Sequence, residues 1–127
     1  PFLLVDRTGV LASLYGAGEL AYVGGGFGRA GLHSVLEPAA WGRAVLMGPN
    51  WEESRDAGLL LAAGGGWAAR RAPPAEAASD LAAQWLGWLE DAFARRAAGE
   101  AALALVRRGV GAADRTAAVV EALVEGR

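Results

Sequence analysis

The chain has 127 residues, a length that fits one domain and excludes a second domain of full size. Hydrophobic residues make up 54% and charged residues 20%, which suits a buried core and excludes a disordered chain. A net charge of −2 argues against nucleic acid held by bulk charge, and the lack of cysteine with a single histidine excludes disulfides and zinc clusters. No apolar stretch reaches the roughly 20 residues of a membrane span, so a soluble segment is expected.

The first half of the chain alternates short apolar runs with helical patterns. This alternation is typical of parallel βα units and predicts a Rossmann-like α/β sheet. Four strands are predicted, over residues 2–5, 20–23, 44–47 and 66–69. Between them, helices are predicted over residues 10–15, 34–41 and 54–63, the last with Ser54 as its N-cap.

The character of the sequence changes at Pro73 and Pro74, beyond which there is no strand signal. We therefore divide the chain into a partial sheet unit, residues 1–72, and a C-terminal helical segment of the same domain, residues 73–127. Helices are predicted over 76–96, 99–107 and 114–125, the last with Asp114 as N-cap and Gly126 as its stop. One apolar stripe on the first of these favours core packing: Leu81, Trp85, Trp88, Leu89 and Phe93.

A glycine-rich loop, residues 24–34, follows the second predicted strand and contains five glycines. Glycine permits positive φ and close approach of a ligand, and a helix that begins near Ser34 offers unpaired N–H groups. Together these features predict a phosphate site at the carboxyl edge of a parallel sheet. The absence of lysine excludes a P-loop, and the dinucleotide fingerprint lacks its acidic residue about twenty positions on.

Three side chains near this loop have two interpretations each. Glu37 either closes a capping box with Ser34, which the spacing favours, or accepts hydrogen bonds from the two hydroxyls of a ribose. His33 is either structural or a ligand contact. Arg29 is either a solvated loop charge or a contact to phosphate or carboxylate.

Two further loops are predicted to lie at the same edge of the sheet. Residues 6–9 follow the first predicted strand, and residues 48–50 follow the third. Three loops that meet at the carboxyl edge form what a ligand cleft in an open α/β sheet requires.

The run from Leu20 to Pro49 resembles the nucleotide-sugar half of the Kdo transferases, which add 3-deoxy-D-manno-octulosonic acid (Kdo) to the lipid A precursor of Gram-negative bacteria. The matching features are the glycine-rich loop with His33, the run Glu37-Pro38-Ala39-Ala40, Gly42, and Val45 to Pro49. Further matches at residues 6–15, 54–60, 99–101 and 115–116 extend the resemblance over essentially the whole chain, and it is strongest over residues 4–66. In two departures, Ser34 stands where many members carry Asn, and Ala44 where a Pro is common.

The resemblance implies a metal-independent glycosyltransferase of the GT-B type that needs no cofactor and uses CMP-Kdo as donor. This chain would be its C-terminal donor-binding part. Glu37 would hold the ribose, while His33 and Ser34 would lie over the phosphate. The implied donor-binding residues are Thr8, Gly9, Gly25, Gly26, Gly28, Arg29, Gly31, His33, Ser34, Glu37, Pro49 and Asn50.

The resemblance also implies that the acceptor-binding domain, its membrane anchor and the catalytic base precede Pro1. The parent protein would then act on a lipid A precursor at the cytoplasmic face of the bacterial inner membrane, and this chain alone would be inactive. The predicted strand 2–5 would lack its neighbours and would pair elsewhere or with another copy. Two alternatives stay open: a GT-B transferase or epimerase acting on UDP-sugars, and a non-catalytic nucleotide-binding module.

Overall fold

The computed structural model describes residues 2–126, in which three parallel strands form one sheet in the order β1-β2-β3. The strands are β1 (Leu20–Val23), β2 (Ala44–Met47) and β3 (Gly66–Ala68). The helices are α1 (Leu11–Leu14), which continues as a 3-10 turn (Tyr15–Ala17), α2 (Leu36–Ala40), α3 (Arg55–Ala62), α4 (Pro74–Glu90), α5 (Ala92–Gly109) and α6 (Ala112–Glu125). The predicted fold class, a partial Rossmann-like parallel sheet followed by C-terminal helices, is confirmed.

The central strand β2 holds the core together because it is covered on both faces. All four of its residues are fully buried. Successive side chains of a strand point to opposite faces. Val45 and Met47 therefore pack against α2, α3 and α5, whereas Leu46 packs against Trp88 of α4 and Ala98 of α5. A continuous apolar run of this kind is typical of a parallel strand inside an α/β layer structure.

Helix α5 crosses the amino edge of the sheet at a point of close backbone contact. Gly99 lies against the turn that precedes β2, where a Cβ atom would collide with the carbonyl oxygen of Gly42. Ala98, one residue before, packs on one face of the sheet, and Ala102 packs on the other. Helix α5 therefore covers the amino edge, while the loops that follow the strands form the carboxyl edge.

The segment that contains α1 is attached near the same amino edge by side-chain hydrogen bonds. Arg43 donates from Nε to the carbonyl oxygen of Tyr15 (3.1 Å) and from Nη2 to that of Gly16 (2.8 Å). The indole nitrogen of Trp41 donates to the carbonyl oxygen of Ala12 (2.6 Å). The helix predicted over residues 10–15 is present in a shorter form, as α1 over Leu11–Leu14.

The strand predicted over residues 2–5 is wrong. These residues have no strand conformation, and the side chains of Phe2, Leu3 and Leu4 are exposed. An apolar run becomes a strand only where a neighbouring strand supplies ladder hydrogen bonds and other residues cover one face. Neither condition holds for this run within the part of the chain that the structure describes.

The helix predicted over residues 76–96 is two helices, and Asp91 separates them. Asp91 adopts a non-helical conformation, and its carboxylate accepts hydrogen bonds from the backbone N–H groups of Phe93 (3.0 Å) and Ala94 (2.9 Å). It therefore caps α5, which runs on without a break through the predicted helix 99–107. Trp88 is buried as the apolar stripe predicts, but Phe93 lies beyond the break and is 81% exposed.

Helix α6 begins two residues earlier than predicted, and Asp114 is not its N-cap. The N-cap is Gly111, in the left-handed region at φ 82°, and Asp114 lies within the first turn. The helix ends before Gly126 as predicted. Within residues 2–126, no helix combines the length and the apolar character needed to cross a bilayer.

The remaining predicted elements closely match the structure. The strands over 20–23 and 44–47 have the predicted bounds, and β3 is one residue shorter than predicted. Ser54 caps α3 as predicted, because its hydroxyl oxygen accepts a hydrogen bond from the Ala57 backbone N–H (3.2 Å).

Two helical glycines test the contact between α5 and the amino edge. Gly99→Ala is expected to lower the free energy of unfolding by about 1–3 kcal/mol, because the new methyl group must displace the Gly42 backbone. Gly87→Ala, in α4, places its new methyl group in open space. This variant is the control, and it is expected to raise the free energy of unfolding by about 0.5–1 kcal/mol. Urea unfolding followed by circular dichroism measures both, and stabilisation by Gly99→Ala would contradict the contact.

The cap of α5 gives a second stability test. Asp91→Ala removes the acceptor for two backbone N–H groups and is expected to cost about 1 kcal/mol. Asp114→Ala is the matched comparison, since Asp114 makes no cap hydrogen bond and should cost about 0.5 kcal/mol or less. Equal losses in urea unfolding would show that Asp91 is not acting as a cap.

Candidate functional site

The loops that follow the three strands meet at the carboxyl edge of the sheet and enclose a cavity of about 450 Å³. Carboxyl edges of parallel strands are where open α/β sheets bind ligands. The cavity wall is formed by Gly28, Arg29, Gly31 and Leu32 after β1, by Asn50 and residues 52–54 after β2, and by Arg71 after β3.

The first loop is held in place by a close contact with the second. Gly26 is buried against Gly48, the residue directly after β2, and a Cβ atom on Gly26 would lie 2.8 Å from the Gly48 nitrogen. The Asn50 backbone N–H donates to the Gly26 carbonyl oxygen (2.9 Å), and the Asn50 side-chain amide donates to that of Gly28 (3.3 Å). The glycines at 26 and 48 thus allow two loops to pack backbone to backbone.

The glycine-rich loop also closes on itself. Gly25 has φ 93°, and a Cβ atom there would collide with the Gly31 carbonyl oxygen. The His33 backbone N–H donates to the Gly24 carbonyl oxygen (3.1 Å). Gly31 has no atom near the position that a Cβ would occupy, so its backbone is open toward the cavity. The loop therefore contains glycines of two kinds, those that shape it and those that a ligand could approach.

The charged side chains of the wall come from all three loops: Arg29, Glu52, Glu53 and Arg71. Arg71 and Glu52 form an ion pair, with Nη2 and Oε2 2.8 Å apart. The hydrogen bond from Arg71 lowers the pKa of Glu52, and the same bond raises the pKa of Arg71. Both groups stay charged at neutral pH, so the cavity presents fixed charges of both signs.

The capping box predicted for Ser34 and Glu37 is wrong. Helix α2 begins at Leu36, and its N-cap is Val35, which makes no side-chain cap hydrogen bond. Val35 is fully buried in the core, and its packing places the start of the helix two residues after Ser34. Glu37 lies in the first turn of α2, exposed and free of any cap role.

Glu37 lies near Tyr15, in the 3-10 turn that follows α1. Burial raises the pKa of Tyr15, and the negative charge of Glu37 raises it further. Neither His33, Ser34 nor Glu37 forms part of the cavity wall, and His33 and Ser34 are exposed. The interpretation of Glu37 as a ribose contact stays a prediction, with its competing cap role removed.

The loop of residues 6–9 does not join the cavity. Thr8 lines a separate, shallow hollow with residues 5–7, and Gly9 has open space around it. Pro49 is buried beside Gly48 and does not line the cavity either. Of the predicted site residues, the structure brings Gly28, Arg29, Gly31 and Asn50 together in one wall.

Five residues of the wall were not predicted as site residues: Leu32, Glu52, Glu53, Ser54 and Arg71. The sequence carries a signal for Arg71, because it follows a predicted strand and therefore belongs to the carboxyl edge. Glu52 and Glu53 follow the loop at 48–50 and could have been found in the same way. Within residues 2–126, no three acidic or histidine side chains lie together as a metal site.

Comparison with known proteins identifies relatives with a common description. The chain is 38% identical over 119 residues to a 3-deoxy-D-manno-octulosonic acid transferase of Bordetella pertussis, covering 94% of this chain and 27% of that protein. It is 46% identical over 54 residues to a protein of the same description from Aquifex aeolicus, covering 42% of this chain and 15% of that protein. A bifunctional glycosyltransferase/methyltransferase of Fusobacterium nucleatum is 41% identical over 46 residues, covering 36% of this chain and 7% of that protein.

No family model and no solved structure matches the chain. The chain spans about a quarter or less of the length of these relatives. The match to the Bordetella protein nevertheless extends over nearly all of this chain, and proteins from Chlamydophila psittaci and Chlamydia pneumoniae with the same description match about half of it. The predicted resemblance is confirmed: over nearly all of its length, this chain is similar to part of a 3-deoxy-D-manno-octulosonic acid transferase.

Proposed function

We propose that this chain is the donor-binding part of a glycosyltransferase that transfers Kdo from CMP-Kdo to a lipid A precursor. One observation carries the proposal: the glycine-rich loop and Arg29 wall a cavity at the carboxyl edge of the sheet in a chain related to Kdo transferases. CMP as the nucleotide and lipid A precursor as the acceptor are taken from the resemblance.

The wall of the cavity offers the groups that a nucleotide phosphate needs. The backbone of Gly28 and Gly31 is accessible to a ligand, and Arg29 supplies a planar, permanently charged donor that suits phosphate. Asn50, which also lines the cavity, supports the loop through its hydrogen bond to the Gly28 carbonyl oxygen. These groups would hold the phosphate of CMP without a metal ion.

The proposed reaction replaces one bond at the anomeric carbon of Kdo. The acceptor hydroxyl oxygen attacks that carbon, the bond from the carbon to the phosphate oxygen breaks, and CMP leaves with the electron pair. Donors fixed around the leaving phosphate stabilise the charge that develops in the transition state. No residue of this chain is proposed as the base that takes the hydroxyl proton. By itself, the chain would therefore bind the donor but would not transfer Kdo.

For the ribose of CMP, we propose Glu37 as the contact. Its carboxylate is exposed and makes no cap hydrogen bond, so both oxygens can accept from adjacent hydroxyls. In the complete enzyme, residues outside this chain would bind the lipid acceptor and present it to the donor, at the cytoplasmic face of the inner membrane.

Calorimetric titration of the 127-residue chain with CMP and with UDP-glucose tests the donor class. We expect saturable binding of CMP, much weaker binding of UDP-glucose, and the same Kd for CMP in EDTA and in Mg²⁺. Arg29→Gln should weaken CMP binding about tenfold, because a charged hydrogen bond to phosphate is lost. Arg108→Gln, at the exposed end of α5, is the control and should change nothing. Binding of UDP-glucose in the absence of CMP binding would overturn the proposed donor.

The ribose contact has its own test. Glu37→Ala is expected to weaken CMP binding about tenfold and to leave binding of 2′,3′-dideoxy-CMP unchanged, because that analogue lacks both hydroxyls. The free energy of unfolding should change by no more than about 0.5 kcal/mol, since Glu37 makes no cap hydrogen bond. Loss of stability together with unchanged CMP affinity would show a structural role instead.

A further inference from the structure

An ion pair joins two of the three loops that wall the cavity. Arg71 belongs to the loop after β3 and Glu52 to the loop after β2, and their charged atoms lie 2.8 Å apart. Both side chains line the cavity, and both are well exposed, at 68% and 48%. Neither residue is among those that the sequence predicts for the site, and the function proposed above assigns no role to either.

The pair is of a kind that a ligand can separate. Exposed ion pairs contribute little to stability, because water solvates both charges and the paired side chains lose conformational freedom. A phosphate presents more negative charge than one carboxylate, and its oxygens match the planar fork of a guanidinium group. A phosphate in the cavity can therefore replace Glu52 as the partner of Arg71 at small cost to the fold.

The charges of the wall indicate why this exchange would matter. With Arg71 neutralised by Glu52, the wall offers Arg29 as its other cation, while Glu53 adds a second carboxylate. A phosphate that enters the cavity is repelled by the carboxylates of Glu52 and Glu53. Once Arg71 turns to the phosphate, two guanidinium groups from different loops hold it.

We propose that Arg71 is a phosphate-binding residue of this cavity that exchanges Glu52 for the phosphate of a bound nucleoside monophosphate. Glu52 thereby competes with the ligand and sets how much phosphate or nucleotide the cavity binds. The inference rests on the proposed function for the nature of the nucleotide, CMP. The exchange itself requires only a phosphate group.

The neighbouring residue Arg70 provides a matched control. Arg70 is as exposed as Arg71 and also forms an ion pair, with Asp80 of α4 at 3.5 Å. The Asp80 carboxylate also accepts a hydrogen bond from the Arg70 backbone N–H (3.2 Å), so this pair attaches the loop after β3 to α4. Arg70 is not part of the cavity wall. The two arginines thus share charge, exposure and pairing but differ in their access to the cavity.

The test is calorimetric titration of the chain and its variants with CMP, cytidine and inorganic phosphate. Arg71→Gln should weaken the binding of CMP and phosphate about tenfold and leave cytidine unchanged. Glu52→Gln should strengthen CMP binding about threefold, because the competitor and its repulsion are gone. In the double variant, Glu52→Gln should strengthen binding by less than threefold relative to Arg71→Gln alone, because only the repulsion by Glu52 is then removed. Arg70→Gln should bind like the unmodified chain. Circular dichroism confirms that every variant is folded.

The outcomes separate this inference from the proposed function. If CMP binds and Arg71→Gln leaves its affinity unchanged, Arg71 is not a phosphate-binding residue, while the proposed function stands. If CMP does not bind but phosphate binds and depends on Arg71, the exchange stands and the proposed donor is wrong. If Glu52→Gln weakens CMP binding, Glu52 is a ligand contact and the competition is overturned. If neither CMP nor phosphate binds, both proposals are wrong.

Discussion

The close backbone contact between α5 and the turn before β2 is the constraint on which the rest of this fold depends. Gly99 allows the helix to lie against the amino edge of the sheet, because a side chain there would collide with the Gly42 carbonyl oxygen. From that position α5 packs on both faces of β2, through Ala98 on one and Ala102 on the other. One helix therefore completes the core and covers the amino edge, and the cavity lies at the opposite, carboxyl edge.

The carboxyl edge repeats the same device on a smaller scale. Gly26 and Gly48 bring the loops after β1 and β2 together, and Asn50 joins them by hydrogen bonds. Because the backbones are this close, the side chains of both loops and of Arg71 face a common space. Closely packed loops that carry exposed charged side chains would suit the phosphate site that we propose here.

How far the sequence predicted the fold depended on burial. Strands β1 and β2 have the predicted bounds, because a short apolar run between turn residues is typical of a buried strand. The run 2–5 is also short and apolar, but it forms no strand, since a strand also needs a neighbouring strand. The break at Asp91 was missed because alanine and leucine favour a helix on both sides, and the cap shows itself only in the hydrogen bonds to Phe93 and Ala94.

By itself, the sequence determined the parallel α/β class, the glycine-rich loop and the resemblance to Kdo transferases, because these follow from local patterns and from residue identity. The tertiary structure decided which residues share the cavity. It brought Arg29 and Arg71 into one wall although 41 residues separate them in the chain, and it left Thr8 outside. It also removed the capping-box interpretation of Ser34 and Glu37, because burial of Val35 places the start of α2. The distances between loops depend on how the helices and strands pack together, and a local sequence pattern does not determine that packing.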